Sequence, residues 1–241
     1  MVTYSTLQTD RRQFLALTGL TLSEFQLLLG AFTRAYGRVY PTDQTLTGQP
    51  RQRVSGGGCK GILHPPEQKL LFILVYLKTY PLQVLMGELF EMSQSGANYW
   101  IYRLLPVLRV ALDDLGVLPE RKPARFAQSQ PSHPHLIIDG TERRRQRPKN
   151  PEKQALHYSG KKKTHSDKNI VIVNEPGNRI GFLSQTYPGS MHDKKMADRE
   201  SIAYPPDAVL DKDTGFQGYE PAVQETRQAK KKAAPRRTHR R

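Results

Sequence analysis

The sequence predicts an α+β chain, all-α in its first half and built around a sheet in its second. Three observations carry this. Apolar residues recur at three- and four-residue spacing from Phe14 to Tyr36 and again from Glu67 to Leu108, the period of helices that bury one face. From Leu136 onward they fall instead in short runs bounded by Gly, Pro and Asn, the habit of strands. Between the two regimes Pro119 to Pro134, with Pro123, Pro131 and two basic clusters, reads as a boundary between domains. A helical region over 1–118, a sheet domain over 135–225 and a basic tail over 226–241 are therefore expected.

Leu17, Leu20, Phe25, Leu28, Leu29 and Phe32 give the first helix or helix pair, with Ser23 placed to cap the second. From Gly37 to Pro66 the chain holds Pro41, Pro50, Gly56-Gly57-Gly58 and Pro65-Pro66, the composition of a linker or extended loop. Three helices follow near 67–105, over Glu67 to Tyr80, Leu82 to Phe90 and Ser93 to Leu105, broken at Pro81 and at Glu91-Met92. A short turn before a Ser-capped helix is the sequence form of a helix-turn-helix. In its last helix Ala97, Ile101, Leu104 and Leu108 share an inward face, while Gln94, Asn98 and Tyr102 share another with Ser95 and Arg103 beside it. Those five side chains are the candidates for base edges and phosphates in a major groove. A three-helix bundle with a merely polar outer face has the same pattern. Tyr99 and Trp100 read as packing residues.

In the second half Leu136-Ile137-Ile138, Asn169 to Val173, Ile180 to Leu183 and Ala208 to Leu210 read as strands, and Ser190 to Ile202 as a helix before the last of them. Strand, strand, strand, helix, strand suits an antiparallel meander followed by a right-handed crossover to a parallel strand. That crossover lays the fourth strand beside the first and brings Asp139 towards Asp213. The tail from Thr226 has eight basic residues, no acid and almost no large apolar residue, so it is expected to stay solvated and to touch DNA without sequence preference.

Composition narrows the partners. The 241 residues contain 37 Lys and Arg against 22 Asp and Glu, a formal net charge of +15, which favours polyanions and nucleic acid first. Cys59 is the single cysteine, excluding an internal disulfide framework and a thiolate zinc cluster and suiting a reducing, cytoplasmic location. Met1 to Phe14 is too polar for a signal peptide, and Leu70 to Leu77, the longest apolar run, is short of the about 20 residues a bilayer needs, so no membrane partner is expected.

Asp139 and Asp213 each end an apolar strand just ahead of a glycine, and together they form the candidate catalytic and metal-binding pair. Carboxylates gathered on a basic surface repel, and a hard cation such as Mg²⁺ or Mn²⁺ relieves that repulsion. Two such ions about 4 Å apart serve phosphoryl transfer. Taken singly, an Asp before a turn glycine is also ordinary turn chemistry. Asp193 is a further candidate ligand, although capping of the helix behind it explains it equally well. Glu142, Asp211, His157 and His165 are weaker candidates. Arg143, Arg144, Arg145, Arg147, Lys149, Lys153, Lys161, Lys162 and Lys163 flank Asp139 along an expected hairpin, where they would steer a DNA backbone or form a solvated face.

Several segments in order resemble a known family. Leu17-Thr18-Gly19-Leu20, Leu77-Lys78-Thr79-Tyr80-Pro81, Ser93-Gln94-Ser95 and Trp100-Ile101 are similar to the amino-terminal helix-turn-helix region of transposases of the insertion-sequence family five and Harbinger type. Asp139-Gly140-Thr141-Glu142, Tyr158-Ser159-Gly160-Lys161-Lys162, Tyr187-Pro188-Gly189-Ser190, His192-Asp193 and Asp213-Thr214-Gly215-Phe216-Gln217-Gly218-Tyr219 are similar to its DDE-superfamily endonuclease half. The resemblance implies a ribonuclease-H-like fold, Asp139 and Asp213 as first and second catalytic acids, and Mg²⁺ or Mn²⁺, two ions in a complete site. It also implies double-stranded DNA as partner, both element ends and target, with a homodimer or an intact transposase as protein partner. The family's third acid is a glutamate on a later helix. Glu220 and Glu225 stand too close behind Asp213 to supply it, so the endonuclease domain is expected to be partial, lacking its last strand and covering helix, and the chain to be an inactive truncated transposase or a DNA-binding regulator of an intact one.

Overall fold

The computed structural model describes residues 1–45, 48–52, 61–175, 177 and 179–228; the Gly56-Gly57-Gly58 triplet, Cys59 and the tail beyond 228 lie outside the described residues. Two compact units divide the chain, Met1–Val117 and Leu118–Arg241.

The first unit is helical: α1 (Tyr4–Leu7), α2 (Arg11–Thr18), α3 (Leu22–Val39), α4 (Pro66–Thr79), α5 (Gln83–Leu89) and α6 (Gln94–Asp114). Asp10 caps α2 by accepting from the backbone N–H groups of Arg12 and Gln13. Thr21, not Ser23, caps α3. Its hydroxyl accepts from Glu24 N while the Glu24 carboxylate accepts from Thr21 N at 2.7 Å, so the cap is reciprocal and draws the helix start back past Ser23. The same helix runs through Gly37 to Val39, shortening the loop expected there. Leu70 to Val75 are all buried, making α4 the central helix of the unit, and Phe72 meets Phe90 edge-on at 4.9 Å. No single helix among the described residues is long and apolar enough to cross a membrane; in the bent pair α2 and α3, the large apolar residues Phe14, Phe25 and Phe32 are in the core.

Pro106 does not end α6, which continues to Asp114. Buried Val107, Leu108 and Ala111 extend the stripe begun by Ala97, Ile101 and Leu104, and this packing outweighs the proline penalty. Pro106 has no N–H to offer the Tyr102 carbonyl, and both residues are exposed rather than packed in the core.

In the second unit two short 3₁₀ turns (Pro123–Arg125, Ala127–Ser129) precede β1 (His135–Arg144), α7 (Pro151–His157), β2 (Tyr158–Ser159), β3 (Thr164–Glu175), β4 (Arg179–Leu183), β5 (Tyr187–Pro188), α8 (Asp193–Glu200), β6 (Val209–Lys212) and β7 (Glu225–Gln228). They form one mixed sheet. Its main order is β4-β3-β1-β6-β7, with β2 and β5 on other stretches of β3. The strands β4, β3 and β1 are antiparallel neighbours, and β6 and β7 continue parallel to β1. Leu136 and Ile138 of β1, Ile170 and Ile172 of β3, Phe182 of β4 and Leu210 of β6 bury one face of this sheet in a core with Met196 and Ala197 of α8 and Phe126.

Four expectations are corrected. A strand follows β6 where none was expected: β7 pairs Glu225–Gln228 with Val209–Lys212, so Thr226 to Gln228, expected to belong to a solvated tail, lie in the sheet. Asp139 does not end its strand: β1 runs on to Arg144 because β3 pairs with it throughout. The link between β1 and β3 is not a plain hairpin but carries α7, capped by Asn150, whose side chain accepts from Lys153 N. The stretch 119–134 is not merely a boundary, since Phe126 is fully buried in the sheet core and Glu120 bridges to Phe182 of β4.

Candidate active site and nucleic-acid interface

The parallel register of β1 and β6 pairs Leu136 with Leu210, Ile137 with Asp211 and Ile138 with Lys212. The next step along both segments brings Asp139 beside Asp213, just past the last residue of β6. Alternation along the pleat turns Ile138 and Lys212 into the core and leaves the two aspartates exposed on the opposite face. Each carboxylate has Oδ1 held by the backbone N–H that follows it, Gly140 N at 2.8 Å and Thr214 N at 2.6 Å. Among the described residues, neither Oδ2 has a hydrogen-bond partner.

Lys212 anchors this end from beneath: its buried ammonium donates to Tyr219 O at 2.5 Å and pairs with Glu220 at 3.1 Å. Glu225 pairs with Arg227 and lies opposite Val209, at the far end of β6 from Asp213. The two acids that follow Asp213 are thus committed elsewhere. Asp211 is taken by His135, with Nε2 2.9 Å from Oδ2.

Asp193, first residue of α8, and Glu142 of β1 are joined by a residue that the pattern of charges did not single out. Lys168 of β3 sits directly across from Glu142, and its ammonium lies 3.2 Å from Glu142 Oε1, 3.2 Å from Asp193 Oδ1 and 3.0 Å from Met191 O. The Lys168 and Glu142 side chains are only 9% and 8% exposed. Ser159 and Ser166 donate their hydroxyls to Glu142 at 3.2 and 3.1 Å. A signal for Lys168 existed: it follows Ser166 and precedes Ile170 and Ile172 at alternate positions, so the strand period places it on the core face.

Burial pushes the Glu142 carboxyl upward, yet the Ser159, Lys168 and Ser166 hydrogen bonds and the Lys168 charge outweigh it, holding the group below the usual carboxylate range. A depressed folded-state pKa adds stability that is present above the unfolded value, about 4.3, and is lost as pH falls through the folded one. The stability gap between wild type and Glu142→Gln, measured by urea unfolding, is therefore expected to be full above about pH 4.3 and to close in more acid solution.

The basic ribbon divides. Arg143 donates to Asn169 Oδ1 at 2.6 Å, and Arg145 pairs with Asp167 at 2.9 Å beside His157, so both are partly committed to the protein. Arg144, Lys161, Lys162 and Lys163 are exposed, the three lysines in the turn between β2 and β3. His165 lies edge-on to Tyr158 at 5.6 Å.

On α6 the expected DNA-facing residues also divide. Gln94, Ser95 and Tyr102 are exposed, Tyr102 at 70%. Asn98 donates to Gln83 Oε1 at 3.1 Å and fixes α6 against α5. Arg103 is not a free contact. Its guanidinium lies 3.7 Å from the Tyr40 ring centroid with Tyr36 and Tyr99 around it, and Nε donates to the Tyr36 hydroxyl. This box ties α6 to α3, so Arg103→Ala is expected to lower the unfolding free energy of the helical unit by about 1 to 2 kcal/mol, read from the urea midpoint.

Oxygen donors alone at the Asp139–Asp213 pair fit a hard divalent cation, since Mg²⁺ is commonly held by one or two carboxylates with water and substrate phosphates completing its shell. Among the described residues, no three acidic, histidine or cysteine side chains are grouped to hold a metal.

Comparison with known families gives two matches. Residues 138–240 match the family model described as DDE superfamily endonuclease, and residues 63–114 match the helix-turn-helix of DDE superfamily endonuclease. The first takes in the sheet from Ile138 onward, the second α4, α5 and α6. No curated protein and no solved structure matches the chain.

Proposed function

We propose, from a chain that carries the endonuclease domain of the DDE superfamily together with that superfamily's helix-turn-helix, that it is a transposase of the insertion-sequence family five and Harbinger type. Its helix-turn-helix would hold the ends of a mobile element while the sheet domain, with ribonuclease-H-like topology, acts on the phosphodiester backbone.

One observation carries the catalytic half of this reading: the adjacent aspartates, Asp139 within β1 and Asp213 just past the end of β6. Asp139 and Asp213 would hold Mg²⁺ or Mn²⁺, each presenting the carboxylate oxygen that the backbone N–H of the following residue leaves unclaimed. A bound divalent cation lowers the pKa of its water and stabilises charge on the leaving oxygen. The chain's own share is to fix the two acids side by side, to approach the phosphates with Arg144 and Lys161 to Lys163, and to hold a duplex in register through Gln94, Ser95 and Tyr102. Double-stranded DNA is the partner, and work on two element ends suits a homodimer or pairing with an intact transposase.

A second reading is favoured by one observation, the lack among the described residues of a third acidic side chain grouped with these two. In it the protein binds element ends without cutting and regulates an active partner. A cleavage and end-joining assay with Mn²⁺, on duplexes carrying the sequences that flank the coding region, separates the readings. Cutting with joining supports the transposase. Cutting without joining favours a plain nuclease, and binding without cutting favours the regulator.

A further inference from the structure

The Asp193 carboxylate occupies a slot between two glycines. A Cβ at Gly140 would lie 3.0 Å from its Cγ and Oδ1, and a Cβ at Gly215 would lie 2.6 Å from its Oδ2. The Gly215 approach is closer than real side-chain carbons come and the Gly140 approach is tighter than most of them, so a side chain at Gly215 would displace the carboxylate and one at Gly140 would crowd it. Gly140 immediately follows Asp139, and Gly215 stands two places after Asp213. One carboxylate therefore abuts the backbone of both segments that present the candidate metal ligands.

It does so from behind. Gly140 pairs with buried Ile170 and faces the core, whereas Asp139 is exposed and turned to the other side of the sheet. The carboxylate is held in turn: Oδ1 accepts from Lys168, whose largely buried ammonium is also paired with Glu142. Glu142 is fastened by hydroxyls from Ser159 and Ser166. Strands β1 and β3 and the start of α8 thus meet at a single ammonium, with β2 tied in through the Ser159–Glu142 hydrogen bond.

We propose that Lys168 and Asp193 are positioning residues that set the spacing of Asp139 and Asp213, and that Asp193 is not itself a metal ligand. The inference rests on the reading of Asp139 and Asp213 as a metal-binding pair. Lys168 pulls Asp193 inward, Asp193 bears on Gly140 and Gly215, and the two aspartates in front keep the separation a single cation can bridge. Groups that orient ligands without touching the metal typically change its affinity 10- to 100-fold.

The test is Mn²⁺ affinity of the full chain, read by titration calorimetry and by the electron paramagnetic resonance of free Mn²⁺, with cooperative thermal unfolding as the check on folding. Wild type is expected to bind and Asp139→Ala to lose binding. Asp193→Asn, which keeps the shape, and Lys168→Met are each expected to weaken Mn²⁺ binding about 10- to 100-fold while still melting cooperatively. Gly215→Ala is expected to weaken it similarly, and the double variant Gly215→Ala with Asp193→Asn to be no worse than the weaker single one, because both changes break one contact. Should Lys168→Met fail to fold, Asp193→Asn and Gly215→Ala still decide the matter. Folded Asp193→Asn and Gly215→Ala with wild-type affinity would overturn the positioning role and leave the metal-binding pair standing. Loss of binding in Asp193→Asn as complete as in Asp139→Ala, with tighter binding in Lys168→Met, would make Asp193 a ligand and overturn it too. A wild type that binds no Mn²⁺, or binds it equally with Asp139→Ala, removes the pair itself and the positioning role with it.

Discussion

Replacing Asp139 by alanine is expected to reduce Mn²⁺-dependent DNA cleavage by about three orders of magnitude or more, equivalent to roughly 4 kcal/mol of transition-state stabilisation. The side chain is exposed, and its hydrogen bond is to the adjacent Gly140 N–H, so its removal leaves the sheet intact. Exposed positions of this kind usually move stability by no more than about 0.5 kcal/mol. DNA affinity should hold or rise, because a negative charge leaves a basic surface. Plasmid nicking followed over time, with filter binding of the same DNA at matched salt, measures the two effects separately. Equal nicking by variant and wild type would exclude Asp139 from the chemistry.

The largest structural effect is expected at Phe126. Its ring is fully buried and meets Phe182 at 5.5 Å and Tyr204 at 5.8 Å, both edge-on. Phe126→Ala removes that packing and leaves a cavity that the 3₁₀ turns around it cannot collapse to fill, at a cost of about 3 to 5 kcal/mol. Small domains are stable by only about 5 to 15 kcal/mol, so the sheet unit should lose a large part of its stability. Urea unfolding followed by near-ultraviolet circular dichroism reports it. A midpoint unchanged from wild type would mean that the segment is not seated in the core.

Phe126 also marks where sequence reading reached its limit. The segment around it has no period, because 3₁₀ turns are too short to establish one, and its prolines and charges resemble those of a linker. Periodic elements were legible. The helices near 67–105 and the order of the main strands follow from apolar spacing, and the parallel placement of β6 beside β1 follows from the handedness of crossovers. Boundaries were less so: the last of these helices is expected to end at Leu105, although the buried stripe through Ala111 carries α6 on to Asp114. Strand β7 was missed because Glu225, Thr226, Arg227 and Gln228 are polar, and what recruits them is backbone pairing at a sheet edge, which leaves no hydrophobic trace.

Within the site, residue type located Asp139 and Asp213 as candidates but could not reveal what lies behind them. Lys168 was passed over as one charge among many in a basic protein. Its distinction is burial, and only a chain folded so that Glu142 and Asp193 meet gives a lysine reason to be there. Arg103 is the converse case. A helical position beside Tyr102 made it look outward, but the rings of Tyr36, Tyr40 and Tyr99 claim it.

The pairing of β1 with β6 bears on the order in which the protein matures. It closes a loop of roughly seventy residues, and contacts so distant in the chain are the costly ones to form. During synthesis Asp139 leaves the ribosome long before Asp213, and hairpin partners such as β3 and β4 are available first. The Asp139–Asp213 pair is thus among the last features of the sheet to assemble, since it forms only once β6 has been made and has docked on β1.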